Sequence, residues 1–130
     1  MKCRIVNQPS DSAILACNIA DEEKPHLEMI AESLAAKMIF AQKSDYCMAV
    51  ADVIDGKKND AKHIETDFSE PMIIMHRVNL DKALRLFREK GIKTELKAVT
   101  TPTNLNWDFT KIYQHLCEER NALNSGAHKA

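Results

Sequence analysis

The sequence predicts an α/β (or α+β) fold: four or five strands in a small sheet, helices mainly on one face, and two βαβ-like halves, a ferredoxin-like arrangement being one way to join them. Three observations lead there. Residues 13–19 and 71–78 are short, mainly apolar runs of the kind that forms a strand covered on both sides, and each is followed by a helical apolar period. Residues 57–70 are charged and almost free of large apolar side chains, so they divide the chain into halves. Gly91 stands where the second helix must stop, suiting the left-handed residue that closes a helix.

Taken in order, residues 1–6 read as a strand that ends at the turn Gln8-Pro9-Ser10-Asp11. The run from Ala13 to Ile19, apolar up to its last residues, is the next strand. Asp21 suits a helix N-cap, with Glu22 and Glu23 in the first turn, and Leu27, Ile30, Ala31, Leu34 and Met38 recur at helical spacing. Ile39-Phe40-Ala41 is a short strand, and Met48, Ala51 and Val53 fit a short helix ending before Gly56. In the second half Asn79 caps a helix with the stripe Leu80, Ala83, Leu84 and Phe87. Residues 92–101 read as a strand with Thr94, Leu96 and Ala98 on one side. Asp108 caps the closing helix, where Trp107 and Ile112 have the spacing of a hydrophobic staple. The whole is expected to be one domain over residues 1–124, made of a first half at 13–56, a polar connection at 57–70 and a second half at 71–124. A disordered polar tail follows at 125–130.

The stretch Glu95-Leu96-Lys97-Ala98-Val99-Thr100-Thr101-Pro102-Thr103-Asn104-Leu105-Asn106-Trp107, after Gly91-Ile92 and before an amphipathic helix, resembles a bacterial family, domain-of-unknown-function family 3783. The resemblance covers roughly residues 71–120. Asp45-Tyr46 also looks like the aspartate-tyrosine of the amino half of fuller members. The family usually has threonine or serine at the position of Asp108, and the region before Ala13 looks like an extension. The resemblance implies no activity.

Composition narrows the function classes. With 18 basic and 19 acidic residues the formal charge is −1, so no general field attracts nucleic acid or an acidic membrane. Aromatics make up 5% and no RNA-binding aromatic pattern is present, which ranks nucleic acid low. The basic segment Lys82, Arg85, Arg88, Lys90 and Lys93 reads as the solvated face of the second helix. No run approaches a membrane span or a signal-peptide centre, so the expected location is the cytoplasm. Cys3, Cys17, Cys47 and Cys117 are scattered without metal-ligand spacing, which predicts free thiols and neither metal nor cofactor. Gly56, Gly91 and Gly126 lie too far apart for a phosphate loop.

What remains is the turn after Lys97. Lys97, Thr100, Thr101, Thr103 and Asn104 carry an ammonium, hydroxyls and an amide at the carboxyl end of a strand, a composition suited to a small anionic ligand. The same residues also suit a rigid turn that satisfies its own backbone. Trp107 reads as packing, and His76 as a strand-end histidine that is hydrogen-bonded or solvent-facing. No assembled catalytic set is visible, so the expectation is a non-enzymatic module that binds a protein partner or itself. A small-anion sensor at residues 97–104 is the alternative, and an enzyme with a Cys/His site such as Cys47 and His76 is the weaker one.

Overall fold

The computed structural model describes residues 12–57 and 70–129. Strands β1 (Ala13–Cys17), β2 (Lys37–Ala41), β3 (Met72–His76) and β4 (Leu96–Val99) form one mixed sheet in the order β2-β1-β3-β4. The strand expected at residues 1–6, Cys3 and the connection over 58–69 lie outside the described residues. Helices α1 (Lys24–Ser33), α2 (Val50–Ile54), α3 (Leu80–Glu89) and α4 (Phe109–Lys129) complete the fold.

The two central strands explain the layering. β1 and β3 run antiparallel with Leu15 opposite Ile74, and every residue of both strands is buried. Successive side chains point to opposite faces. Ala13, Leu15, Met72 and Ile74 therefore join Val50, Val53, Phe109 and Ile112 beneath α2 and α4. Ile14, Ala16, Ile73 and Met75 join Leu27, Ile30, Ala83 and Phe87 beneath α1 and α3. Helices thus cover both faces. The expectation of helices mainly on one face is corrected, because a central strand apolar at every position needs two covers.

Each half is a βαβ unit with the same geometry. Ala13 pairs with Lys37 and Met72 with Leu96, both 24 residues apart in parallel register. Shifting by 59 positions carries Ala13 to Met72 and Lys37 to Leu96. The same shift carries Asn18, at φ 57°, to Arg77, at φ 56°. It also carries Ala49 to Asp108, which pair with each other in an isolated antiparallel bridge. Positions n and n + 59 are thus counterparts about a pseudo-twofold axis through the β1–β3 seam. Only the crossover helices depart, at a shift of 56, as Lys24 to Leu80 shows.

Local chemistry sets the element ends. Asn79 accepts from Lys82 N at 3.0 Å and starts α3. Asp21 does not cap α1; it opens a 3₁₀ turn, Asp21–Glu23, and α1 begins at Lys24 with Pro25 in its first turn, where a missing N–H costs nothing. β4 is shorter than expected, since residues 92–95 bring the chain from the helix layer to the sheet. The region around Met48 also differs: a 3₁₀ turn, Lys43–Asp45, precedes a helix of only five residues. At the carboxyl end α4 continues to Lys129, through the segment expected to be a disordered tail.

Both crossover helices close in the same way. Ile92 N donates to Phe87 O at 2.9 Å around Gly91, and Ala36 N donates to Ala31 O at 2.8 Å around Ala35. Ala35 holds φ 55° where its counterpart is glycine. A left-handed alanine costs roughly 1–2 kcal/mol, less the greater entropy loss of glycine. Ala35→Gly is therefore expected to raise stability by about 0.5–1 kcal/mol, and Gly91→Ala to lower it by a similar amount. Urea denaturation of both variants measures this, and a destabilised Ala35→Gly protein would contradict the assignment.

Candidate functional site

The turn after β4 is built by reciprocal hydrogen bonds. Thr101 N donates to Asn104 Oδ1 at 2.7 Å, and Asn104 N donates to Thr101 Oγ1 at 3.0 Å. Asn104 Nδ2 also donates to Val99 O at 3.1 Å, tying the turn to the strand. Lys97 reaches back along its strand, its Nζ donating to Thr94 O at 2.5 Å. Its counterpart turn is held alike, with Gln42 N donating to Asp45 Oδ2 at 3.0 Å.

Of the five residues singled out in the sequence, Lys97, Thr101, Thr103 and Asn104 line one groove of about 340 Å³, together with Trp107 and His115. Thr100 does not join them; its Oγ1 lies 2.8 Å from His76 Nδ1, at the end of the β3–β4 pair. The hydrogen bonds of Lys97, Thr101 and Asn104 are made within the turn and its strand, the use that a rigid connection makes of such residues. Trp107 belongs to the apolar cluster under α4, beside Ile112. Its ring meets His115 edge-on at 5.5 Å and carries Lys111 Nζ at 4.5 Å. Asp108 accepts from Lys111 N at 2.8 Å, the expected cap.

The thiols give no activated nucleophile in the core. Cys17 is buried, and burial, reinforced by the nearby Asp45 carboxylate, pushes its thiol pKa far above the ordinary range. Cys47 is exposed and Cys117 half-buried, and neither is in a disulfide. Among the described residues no three His, Cys, Asp or Glu side chains are grouped to hold a metal ion. No helix among them is long and apolar enough to cross a membrane.

Two features escaped the sequence. The first is a second cavity, about 410 Å³, lined by Lys37, Ala51, Ile54, Asp55, His76, Arg77 and Leu105. The second is a clamp holding the start of β3 to α4. Arg120 meets Glu70 in a fork, Nη2 to Oε2 at 2.6 Å and Nη1 to Oε1 at 2.9 Å, and Glu95 at 3.2 Å. Tyr113 OH accepts from Glu70 N at 3.2 Å. Only the fold brings these distant positions together.

Residues 71–123 match the model of a family described as Domain of unknown function (DUF3783). The match spans β3 to α4, one of the two units. Comparison with curated proteins and with solved structures returns no match.

The clamp has a pH signature. Hydrogen bonding from Arg120 lowers the Glu70 pKa from its ordinary value, so the charged form is favoured in the folded state. Its stabilisation is present above the unfolded value, roughly 4.3, and is lost as pH falls through the lower folded value. Glu70→Gln should lower Tm at neutral pH and bring the two proteins together in acid. Melting curves from about pH 7 down to about pH 3 test this; a gap that does not narrow in acid would be the contrary result.

Proposed function

We propose that this chain, whose residues 71–123 match the DUF3783 family model, is a non-catalytic cytosolic module that associates with a second copy of itself through the α1/α3 layer. The observation that carries this reading is the segregation of charge within that layer. Residues 21–33 hold five carboxylates against Lys24, a net −4, whereas residues 80–93 hold five cations against Asp81 and Glu89, a net +3. The layer also exposes Met29 at 49%, Leu80 at 39% and Leu84 at 37%.

The first half supplies an internal control. At the positions of Leu80 and Leu84 it carries Lys24 and Glu28, and Lys24 Nζ lies 5.6 Å from the centre of the Phe40 ring. The same scaffold position is thus charged in one unit and apolar in the other. A water-facing helix needs no leucine at both places. α1 and α3 are neighbours, joined by Lys82 Nζ donating to Ser33 O at 3.2 Å. A twofold contact between two such layers sets the acidic α1 of each copy over the basic α3 of the other, an isologous and closed arrangement. Complementary charge of this kind gives orientation, while the apolar centre supplies the desolvated contact.

The small-anion reading of residues 97–104 draws its support from the groove beside Lys97. Loss of a saturable phosphate response in Lys97→Met would be its mark.

Sedimentation velocity across a dilution series should show a monomer–dimer equilibrium that weakens at high salt, where exposed charges are screened within about 3–8 Å. Leu84→Glu should weaken the dimer about tenfold or more. Arg88→Glu should do the same, with partial recovery when Glu32→Lys is added. A chain that stays monomeric at about 100 μM in low salt, a concentration at which a micromolar dimer would be formed, overturns the proposal.

A further inference from the structure

The pseudo-twofold axis makes each end of the β1–β3 seam a control for the other, and the two ends differ. At one end stand Cys17, Ala41 and Leu96; their counterparts at the other are His76, Thr100 and Lys37. The first three are packed into the core beneath α2 and α4. Of the second three, His76 and Lys37 line the 410 Å³ cavity. His76, 6% exposed, is held by Thr100 Oγ1 at 2.8 Å.

The space itself has a cause. Tyr46, 3% exposed, and Tyr113 occupy the positions whose counterparts are Leu105 and Ile54, both in the cavity wall. Two phenol rings at one end are replaced by two smaller aliphatic side chains at the other. The difference in volume is that of aromatic rings; Ile54, Leu105 and Ala51 make the apolar part of the wall, and Lys37, Asp55, His76 and Arg77 the larger, polar part. Around it stand Lys37, whose Nζ donates to Ile54 O at 2.9 Å, and Arg77. Arg77 sits at φ 56°, where its counterpart is Asn18, a residue that tolerates this backbone state much better. Arginine is a poor choice for the turn and a good one for a carboxylate.

We propose that this cavity binds a small aromatic carboxylate. The ring takes the volume that Tyr46 and Tyr113 fill at the opposite end. The carboxylate meets Lys37 and Arg77, and Asp55, also in the wall, accepts from a hydroxyl or amine on the ring. The site lies under α2, on the sheet face away from the α1/α3 layer, so it stands or falls apart from self-association.

The test uses the full chain with 4-hydroxybenzoate as probe, and with acetate and benzyl alcohol as controls for charge without a ring and a ring without charge. A saturable rise in Tm with 4-hydroxybenzoate alone is expected, together with shifted His76 ring resonances. Lys37→Met should weaken the response about tenfold or more. Leu105→Tyr, which copies Tyr46, should abolish it while leaving a cooperative unfolding transition at an equal or higher temperature. Arg77→Asn, which copies Asn18, should raise Tm without ligand and weaken the response. The proposal is overturned if 4-hydroxybenzoate gives no saturable shift up to about 10 mM, a dissociation constant weaker than ordinary ligand sites. It is equally overturned if acetate matches the response, or if a folded Leu105→Tyr protein responds as the parent does.

Discussion

The antiparallel pairing of β1 with β3 is the constraint on which the rest of the molecule depends. Five residue pairs, from Ala13 with His76 to Cys17 with Met72, put two fully buried strands side by side at the centre of the sheet. Every backbone group there has to be paired, because no water reaches it. A one-residue slip would move Leu15 and Ile74 to the α1/α3 face and Ile14 and Ile73 to the other. Since α1 with α3 and α2 with α4 are shaped to different side chains, the register also fixes which helix covers which face. The outer strands follow, each set at 24 residues from its central neighbour. Even the bridge between Ala49 and Asp108 lies about the same axis, and Val50 N donating to Trp107 O at 3.0 Å extends it into the second layer.

Much of this was legible where the physics is local. The apolar run from Ala13 to Cys17, the Asn79 cap, the Gly91 stop and the Asp108 cap each act within a few residues of themselves, and each stands where its chemistry predicts. The covering of both faces was less plain. Continuous burial of β1 implies it, but α2 is five residues long with a weak apolar period, so the first unit offers little sign of a helix on the second face. The sequence pattern overruns β4, because alternation from Thr94 to Ala98 continues the strand period into residues that make the approach to the sheet. Thr94 is itself 2% exposed, so its side chain follows the strand periodicity while its backbone lies outside the ladder.

The site residues show a sharper limit. Lys97, Thr100, Thr101, Thr103 and Asn104 form a group by composition, and all but Thr100 share a groove. Their composition alone could not tell a ligand from a self-contained turn, since both need the same donors and acceptors. Asn104 decides the geometry by bonding to Thr101 and Val99 at once. Thr100 leaves the group because its hydroxyl is taken up by His76 Nδ1 at the end of β3. The cavity beside His76 was invisible for a different reason. Its wall comes from β2, α2, the end of β3 and the Asn104–Asn106 turn, and no spacing along the chain unites these segments.

A doubled fold of this kind restricts where its halves can diverge. Changes at the middle of the seam act on both units, because Leu15 and Ile74 face each other across the axis. Changes at its ends act on one unit each. Cys17 and His76 are the last residues of β1 and β3, and the positions filled by buried Cys17 and Leu96 at one end carry the imidazole of His76 and the ammonium of Lys37 at the other. The outer helix surfaces are equally free, and there too the units have separated, into an acidic α1 and a basic α3. Symmetry is therefore kept where packing couples the halves and lost where it does not. Residue identity between the halves is slight although the register is the same, since a register needs only apolar side chains of workable size and a left-handed residue after each central strand. Asn18 and Arg77 meet that last requirement at unequal conformational cost, and the costlier residue stands at the seam end where His76 and Lys37 line the 410 Å³ cavity.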